Sequence, residues 1–333
     1  EGRMHDDLPP QRGNRPLELE MRVKDLLVQD GLQEVITYRL TTAEKEARIL
    51  PATNGVRPDD RPYVTLANPI TVERVAMRHS LLASVLEIAA RNSRFQETIA
   101  IFELGHIYLA GEEGVLPDEL RRLALVMTGR RTPAGWYEDA PARLDFFDVK
   151  GVLENLLAAL YIHDWQVETA EHPTYRPGRT ARLVIGDKQS GLIGEIHPLV
   201  VDAFDIRLDD QDQAVLAAEV DLDVLLAAVS TDMRVEPVPV FPAVHEDLAL
   251  IVDQHLPAAE VAAAIQKAGG FLLKEVALFD VYAGEQVPAG KKSLAYHLTF
   301  QAPNKTLKDR DVRKQRQRIL QQLQRRLGAK LRE

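Results

Sequence analysis

Apolar residues recur along the chain at two spacings. A face that repeats every three to four residues predicts amphipathic helices in segments 17–30, 80–95, 148–160 and 222–229. Alternating or short continuous apolar runs predict strands in segments 35–40, 63–66, 98–109, 123–128, 165–169, 181–185, 192–196 and 215–220. Thr42 and Pro198 mark the starts of two further short helices. Strand pairs alternating with helices predict an antiparallel α+β domain over residues 15–232.

A second pattern follows a group of prolines. Prolines at 237, 239 and 242 predict an extended linker over residues 233–246. Beyond the linker, the order strand, helix, two strands, helix and short edge strand predicts a ferredoxin-like βαββαβ domain over residues 247–333. Its last helix is predicted over 306–327, with Thr306 and Asp309 forming a capping box.

Residues 1–14 show no hydrophobic period and are predicted to be a disordered lead-in or the remnant of an upstream domain. The chain has no cysteine, which excludes disulfides and thiolate chemistry and fits a reducing compartment. It also has no signal-peptide pattern and no apolar run near the ~18 residues of a membrane span. We therefore expect a cytoplasmic protein without membrane contact.

Charge is distributed unevenly. The net charge is −9, yet residues 305–333 contain 11 Lys and Arg against 3 Asp and Glu. A basic end on an acidic body indicates a nucleic-acid or acidic partner for that end alone.

Motifs for catalysis are sparse. None of the nine histidines lies three or four positions from another, and HExxH, P-loop, GxGxxG and GxSxG patterns are absent. The sequence therefore suggests no catalytic residue and no metal ligand.

The ferredoxin-like domain supplies the candidate RNA-binding residues. Both of its helices are expected to cover one sheet face and leave the other open. In strand 293–301, Leu294, Tyr296, Leu298 and Phe300 suit the covered face, whereas His297 suits the open one. The candidates comprise stacking rings and cations: Tyr282, Lys291, Lys292, His297, Arg313, Arg316 and Arg318. Two alternatives stay open, namely that Tyr282 packs inward and that the basic helix is only a solvated surface.

Several motifs resemble one protein family. In the ferredoxin-like domain, DLALIVD (247–253), LFDVYAG (278–284), GKKSLAYHLTFQ (290–301) and TLKDRDV (306–312) are similar to the anticodon-binding domain of bacterial phenylalanine–tRNA ligase β subunits. The first domain carries further motifs similar to the catalytic-like domain of those subunits: LQEVITYRLT (32–41), LANPI (66–70), MRHSLLASVLEIAARN (77–92), IAIFELGHIYL (99–109), FDVKGVLENLL (147–157), RPGRTARL (176–183) and GEIHPLV (194–200).

The resemblance implies a class II aminoacyl-tRNA synthetase-like antiparallel sheet with flanking helices. It also implies a non-catalytic role, because Leu109 stands where active members carry an arginine and the third class II motif has no counterpart. ATP and magnesium would be used by the holoenzyme, an (αβ)₂ heterotetramer whose α subunit performs the chemistry. This chain, similar to the C-terminal half of the β subunit, would need no cofactor of its own.

In the family, helices corresponding to 17–30 and 80–95 contribute to the contact between subunits. Leu81, Val85 and Ile88 are therefore candidate interface residues, the alternative being that the domain's own sheet covers them. Glu103, His106 and His197 are expected to be structural. Two other functions stay open, a stand-alone RNA-binding or regulatory protein and an active class II ligase with unrecognised ATP-binding groups.

Overall fold

The computed structural model describes residues 13–51, 61–112, 115–138, 141–209, 212–230, 238–284 and 286–332. The chain divides into two compact units, Glu1–Met233 and Arg234–Glu333. Of the predicted lead-in, residues 1–12 lie outside the described part, as do residues 233–237 of the predicted linker.

The first unit contains a large sheet flanked by helices. Its helices are α1 (Arg15–Gln29), α2 (Ala43–Ala47), α3 (Leu82–Asn92), α4 (Phe146–Ala159), α5 (Pro198–Phe204) and α6 (Leu222–Ala227). Its strands are β1 (Gln33–Glu34), β2 (Leu40–Thr41), β3 (Ala76–Met77), β4 (Ile99–Leu109), β5 (Asp118–Thr128), β6 (Trp165–Thr169), β7 (Tyr175–Ile185), β8 (Lys188–Ile196) and β9 (Val215–Asp221).

Seven of these strands form one sheet in the order β1-β4-β5-β9-β8-β7-β6. Its neighbours pair antiparallel, apart from the parallel pair β1 and β4. One sheet face packs against α1, α4 and α6 and the other against α3 and α5, so the sheet lies between two hydrophobic cores. The predicted antiparallel α+β architecture is confirmed.

Side-chain caps explain where several helices begin. Thr42 accepts the backbone N–H of Lys45 at the start of α2, as its position in the sequence predicts. Asp145 and Asp148 form a reciprocal capping box at the start of α4.

Two predicted strands of the first unit are wrong. Within residues 35–40 only Leu40 belongs to a strand, as the first residue of β2, and Ile36 and Tyr38 are strongly exposed. Residues 63–66 contribute one isolated bridge, at Thr65. Val35 still donates its backbone N–H to Phe102 of β4 at 2.8 Å. Beyond Val35 neither segment has a paired strand of the large sheet beside it, so the predicted pairing does not extend.

The second unit has the predicted ferredoxin-like order. It contains β10 (Val244–Asp253), α7 (Ala258–Gly269), a short 3₁₀ turn (Gly270–Leu272), β11 (Leu273–Tyr282), β12 (Lys291–Phe300), α8 (Asp309–Leu327) and β13 (Lys330–Leu331). The antiparallel sheet runs in the order β11-β12-β10-β13. Leu294, Tyr296, Leu298 and Phe300 of β12 are buried in a core with residues of α7 and α8, as predicted.

Two boundaries in this unit differ from the sequence prediction. Strand β10 begins at Val244, inside the predicted linker, because residues 244–246 pair with the end of β12. Helix α8 begins at Asp309, and Oδ2 of Asp311 accepts the backbone N–H of the N-cap residue Lys308 at 3.4 Å. The predicted pair Thr306 and Asp309 is wrong by two residues.

Candidate RNA-binding surface

The sheet of the second unit has an open face opposite its two helices. Side chains directly across an antiparallel pair share a face, and His297 in the central strand β12 lies across from Asp247 on one side and Ala277 on the other. His297 is exposed, whereas Tyr296 and Leu298, which point the opposite way, are buried. His297 therefore lies on the open face, where the sequence placed it.

An aromatic pair forms the centre of this face. The ring of Phe279 stacks on the imidazole of His297, with 3.9 Å between centroids and 12° between planes. Nδ1 of His297 lies 2.5 Å from Oδ1 of Asp247, a contact that fixes the orientation of the imidazole. Phe279 is half exposed, so the pair presents an aromatic surface to solvent. We call Phe279 and His297 the aromatic shelf.

Phe279 was not among the residues that the sequence suggested. A register shift lies between Leu278, which pairs with Tyr296, and Asp280, which pairs with Ala295. Phe279 is the extra residue, and such a bulge changes which residues of a strand face each side. The same shift places Tyr282 across from Ser293 on the open face. Strict alternation would have placed Tyr282 with Leu278 on the covered face.

Tyr282 is half buried on the open face. Its ring lies so close to Gly284 that a Cβ there would come within 2.4 Å of the hydroxyl. The guanidinium of Arg332 lies 5.2 Å from the ring centroid and donates hydrogen bonds to Ser293 Oγ at 3.3 Å and Gln286 Oε1 at 3.0 Å. Tyr282 is thus held by a local cation–π contact.

The predicted cations lie in different places. Nζ of Lys291 is 3.2 Å from Oδ2 of Asp253, its pairing partner on the open face. Lys292, one residue further along β12, points to the opposite side and is half buried. Lys291 alone of these two lysines shares a face with the aromatic shelf.

The basic helix α8 lies on the covered side of the sheet. Its Val312, Ile319 and Leu323 are buried against the sheet, whereas Arg313 and Arg318 are exposed. A helix is about 10–12 Å across with its side chains, so α8 and the sheet together separate these arginines from the aromatic shelf. The sequence-based prediction combined the open-face residues and the α8 arginines in one RNA-binding surface, but the fold places these two groups on opposite sides of the unit.

Arg316 differs from the other arginines of α8. Its side chain is partly buried, and Nε lies 3.9 Å from Oε2 of Glu246 at the start of β10. Its guanidinium therefore already lies near a carboxylate of its own domain.

The candidate interface residues of the first unit are mostly interior. Leu81 and Val85 have no exposed surface, and Ile88 is partly buried against the same core. A residue without exposed surface has none to contribute to an interface. Leu17 and Met21 of α1, by contrast, are about half exposed, although Val23 and Leu27 of that helix are buried.

Glu103 and Arg78 form a buried ion pair in the first unit. Both residues are at most 3% exposed, and Nη1 of Arg78 donates to Oε1 of Glu103 at 3.1 Å and to Oγ1 of Thr37 at 2.7 Å. Nε of Arg78 also donates to the carbonyl of His106 at 2.8 Å. His197 caps α5 by accepting the backbone N–H of Leu199. In these contacts Glu103, His106 and His197 hold elements of the fold together.

Two buried carboxylates hold the N-terminus of α3. Its N-cap residue, Leu81, has no side-chain capping bond of its own. Glu46 of α2 accepts the backbone N–H groups of His79 and Ser80 at 2.9 and 3.2 Å, and Glu219 of β9 accepts that of Leu81 at 2.7 Å. Burial raises the pKa of Glu46 to about 7 and also raises the pKa of Glu219.

A cavity of about 440 Å³ opens beside Glu219. Leu109 lines it, at the position where the resemblance predicts the loss of an arginine. Arg122, also on its wall, donates to Oδ2 of Asp221 at 2.6 Å. Two residues of the lining, Thr174 and Tyr175, are almost completely buried.

Two further kinds of feature are absent from the described residues. No helix in these ranges is both long and apolar enough to cross a membrane. No group of three or more His, Asp or Glu side chains within them is arranged to hold a metal ion.

Several relatives align with most of this chain's length. The phenylalanine–tRNA ligase β subunit of Symbiobacterium thermophilum is 39% identical over 98% of this chain and 36% of its own length. That of Clostridium tetani is 37% identical over 94% of this chain and 37% of its own length. That of Moorella thermoacetica is 40% identical over 91% of this chain and 37% of its own length. The chain thus spans little more than a third of each of these relatives.

A structural likeness was also found. The structure of Desulfitobacterium hafniense PylSc, a pyrrolysyl tRNA synthetase, has a TM-score of 0.48 and 20% identity, covering 63% of this chain and 67% of that one.

Family models match both units. Residues 239–332 match the ferredoxin-fold anticodon binding domain. Residues 5–222 match the phenylalanyl tRNA synthetase beta chain CLM domain, which is well over half of the chain. The family predicted from the sequence motifs is confirmed, and the chain belongs to the phenylalanyl-tRNA synthetase β chain family.

Proposed function

We propose that this chain is the tRNA-contacting and subunit-contacting part of a phenylalanine–tRNA ligase β subunit, acting in the cytoplasm within an (αβ)₂ heterotetramer. The observation that carries the RNA contact is the aromatic shelf, an exposed stacked pair on the open face of an anticodon-binding-type domain. Exposed rings on an open sheet stack on unpaired bases, which is how single-stranded RNA is commonly held.

Within this proposal, the open face binds the anticodon side of the tRNA. The shelf would receive a base, and Lys291, at the end of the same face, would meet a phosphate. Tyr282 is a weaker stacking candidate because Arg332 and the backbone of Gly284 already cover part of its ring. Arg313 and Arg318 would contact only RNA that passes the helix side of the domain.

The chemistry is assigned to the α subunit, with ATP and magnesium used by the whole ligase. The cavity beside Leu109 does not fit a triphosphate. Two carboxylates, Glu219 and Asp221, line it, and the guanidinium of Arg122 is already engaged by Asp221. Without a fixed, unneutralised guanidinium, the phosphate charge would meet net repulsion. No residue of this chain is therefore given a catalytic role.

The α-subunit contact is proposed for α1 together with the exposed part of Ile88. Leu17 and Met21 leave apolar surface exposed on α1, and exposed apolar surface of this kind is typical of protein interfaces. Leu81 and Val85 would support this contact from the interior.

Co-expression with an α subunit tests the proposal. The chain should co-purify with α, and Leu17→Glu combined with Met21→Glu should abolish co-purification while leaving the melting temperature of the chain unchanged. Phe271→Glu is the control, because Phe271 is also an exposed apolar residue, and a more exposed one, but lies in the second unit. Retention of tRNA binding without any association with α would instead favour a stand-alone RNA-binding protein. ATP–pyrophosphate exchange by the chain alone would contradict its non-catalytic assignment.

A further inference from the structure

The cavity beside Glu219 contains two buried hydroxyl groups that the fold does not use. Thr174 is 1% exposed and Tyr175 2% exposed, and both line the cavity. Neither Thr174 Oγ1 nor the Tyr175 hydroxyl has a hydrogen-bond partner among the described residues. Because a buried hydroxyl without a partner destabilises the fold, two of them on one cavity are available to hydrogen-bond a molecule that enters it.

A carboxylate, that of Glu219, lines the same cavity as these hydroxyls. Burial and the negative charge of Glu219 both raise the pKa of Tyr175, so the phenol lies within electrostatic range of that carboxylate. Ser80 Oγ donates to Oε2 of Glu219 at 3.0 Å and the backbone N–H of Leu81 donates to Oε1. A carboxylate can accept about four hydrogen bonds, so Glu219 keeps capacity for a further donor.

The charge of the lining favours a cation over an anion. Glu219 and Asp221 both line the cavity. The negative charge of Glu219 also contributes to the raised pKa of Glu46, so a third carboxyl group lies within electrostatic range. The two arginines of the lining face carboxylates: Arg122 donates to Asp221, and Arg61 lies 3.5 Å from Asp118. An anionic ligand would meet the charge of the Glu219 carboxylate, whereas a cation would offset it.

Part of the remaining wall is apolar, beside a polar part formed by His79, His172, Gln189 and Ser190. The apolar part is formed by Leu82, Ile107, Leu109, Leu120 and Leu192. The volume of about 440 Å³ lies within the range of small-molecule sites. An occupant therefore needs a hydrocarbon part as well as a donor group.

We propose that this cavity binds a small primary amine with an apolar body, whose ammonium group donates to Glu219, Thr174 Oγ1 and the Tyr175 hydroxyl. An ammonium group has three N–H donors and no acceptor, which matches these three oxygen acceptors in number. The apolar body lies against Leu109 and Leu120. This site is separate from the RNA surface and does not depend on the tRNA role.

Calorimetric titration of the 333-residue chain with n-hexylamine, n-hexanol and hexanoate tests the charge requirement. At neutral pH the amine is protonated, and each of the three probes contains six carbon atoms. Hexylamine should bind one per chain and about tenfold or more tightly than hexanol, because hydrogen bonds to charged groups are the stronger ones. Hexanoate should bind more weakly than hexanol. Equal binding of hexylamine and hexanol, or tighter binding of hexanoate, overturns the proposal.

Variants then locate the site. Glu219→Gln should reduce hexylamine affinity to that of hexanol, and Tyr175→Phe should weaken it several-fold without affecting hexanol. Glu195→Gln is the matched control, since Glu195 is also a buried carboxylate of this unit but lies outside the cavity lining. If Glu219→Gln does not fold, Tyr175→Phe decides. Unchanged hexylamine binding by Tyr175→Phe, or an equal loss in Glu195→Gln, overturns the proposal.

Discussion

Phe279 and His297 are stacked at 3.9 Å on the open face of the second unit, although they belong to different strands and lie 18 positions apart in sequence. The register shift in β11 places Phe279 there, and the contact with Asp247 orients the imidazole. A base that stacks on this shelf meets rings that are already ordered. Less conformational entropy is then lost on binding than with two independent side chains.

The two groups of cations should behave differently in RNA binding. Lys291→Ala, which changes the open face, should reduce the slope of log K against log[salt] by about 0.7, as expected for one lost phosphate contact to single-stranded RNA. Arg313→Ala with Arg318→Ala should leave the slope unchanged, because these residues lie on the solvent-exposed side of α8, away from the open face. The measurement is tRNA binding to the reconstituted αβ complex over a salt series. A larger change for the arginine pair would place the RNA on the helix side.

The buried ion pair of the first unit should matter strongly for stability. Arg78→Ala leaves Glu103 buried without its charged partner and should lower the free energy of unfolding by about 3–5 kcal/mol in a urea titration. Arg94→Ala is the matched control, because Arg94 pairs with Asp205 on the surface and its loss should cost about 0–1 kcal/mol. Similar effects in the two variants would show that Glu103 finds another partner or water.

Stability should fall as pH rises through neutrality because of Glu46. Burial raises its pKa from 4.5 to about 7 in the folded chain. A carboxyl group whose pKa is higher when folded stabilises the fold fully below its unfolded pKa of 4.5, and this contribution is lost as pH rises through about 7. The expected loss is about 3 kcal/mol.

Urea titrations from acidic to mildly basic pH measure this effect. Glu46→Gln should flatten the dependence, since the amide oxygen can still accept from His79 and Ser80 but does not titrate. Glu44→Gln is the control on the same helix, because Glu44 is exposed and its removal should preserve the wild-type slope. A wild-type slope in Glu46→Gln would contradict this assignment.

The sequence predicted the fold better than it predicted the site. Leu294, Tyr296, Leu298 and Phe300 alternate without interruption in β12, so the buried face could be identified from period two alone. Phe279 was missed because a bulge is a three-dimensional pairing feature with no fixed sequence signal.

Hydrophobic spacing also could not predict what buries the individual residues of a helix. Helix α3 is amphipathic, but its apolar face alone does not show whether a neighbouring sheet or a partner chain covers it. The structure shows that the domain's own core covers Leu81 and Val85. Likewise, the count of charged residues showed only that Arg313 and Arg318 belong to a basic C-terminal segment. The packing of α8 shows that they lie on the other side of the sheet from His297.

Binding of tRNA to the αβ complex by Phe279→Ala is the most direct test of the RNA-binding role. Loss of the ring should weaken binding by about 1–3 kcal/mol, the range for one base–aromatic stack. His297→Ala should cost a similar amount. Phe271→Ala is the control, because Phe271 is also a phenylalanine, is more exposed than Phe279 and is not part of the aromatic shelf; this variant should bind as wild type. Wild-type binding by both Phe279→Ala and His297→Ala would contradict the assignment of the open face as the RNA-binding surface.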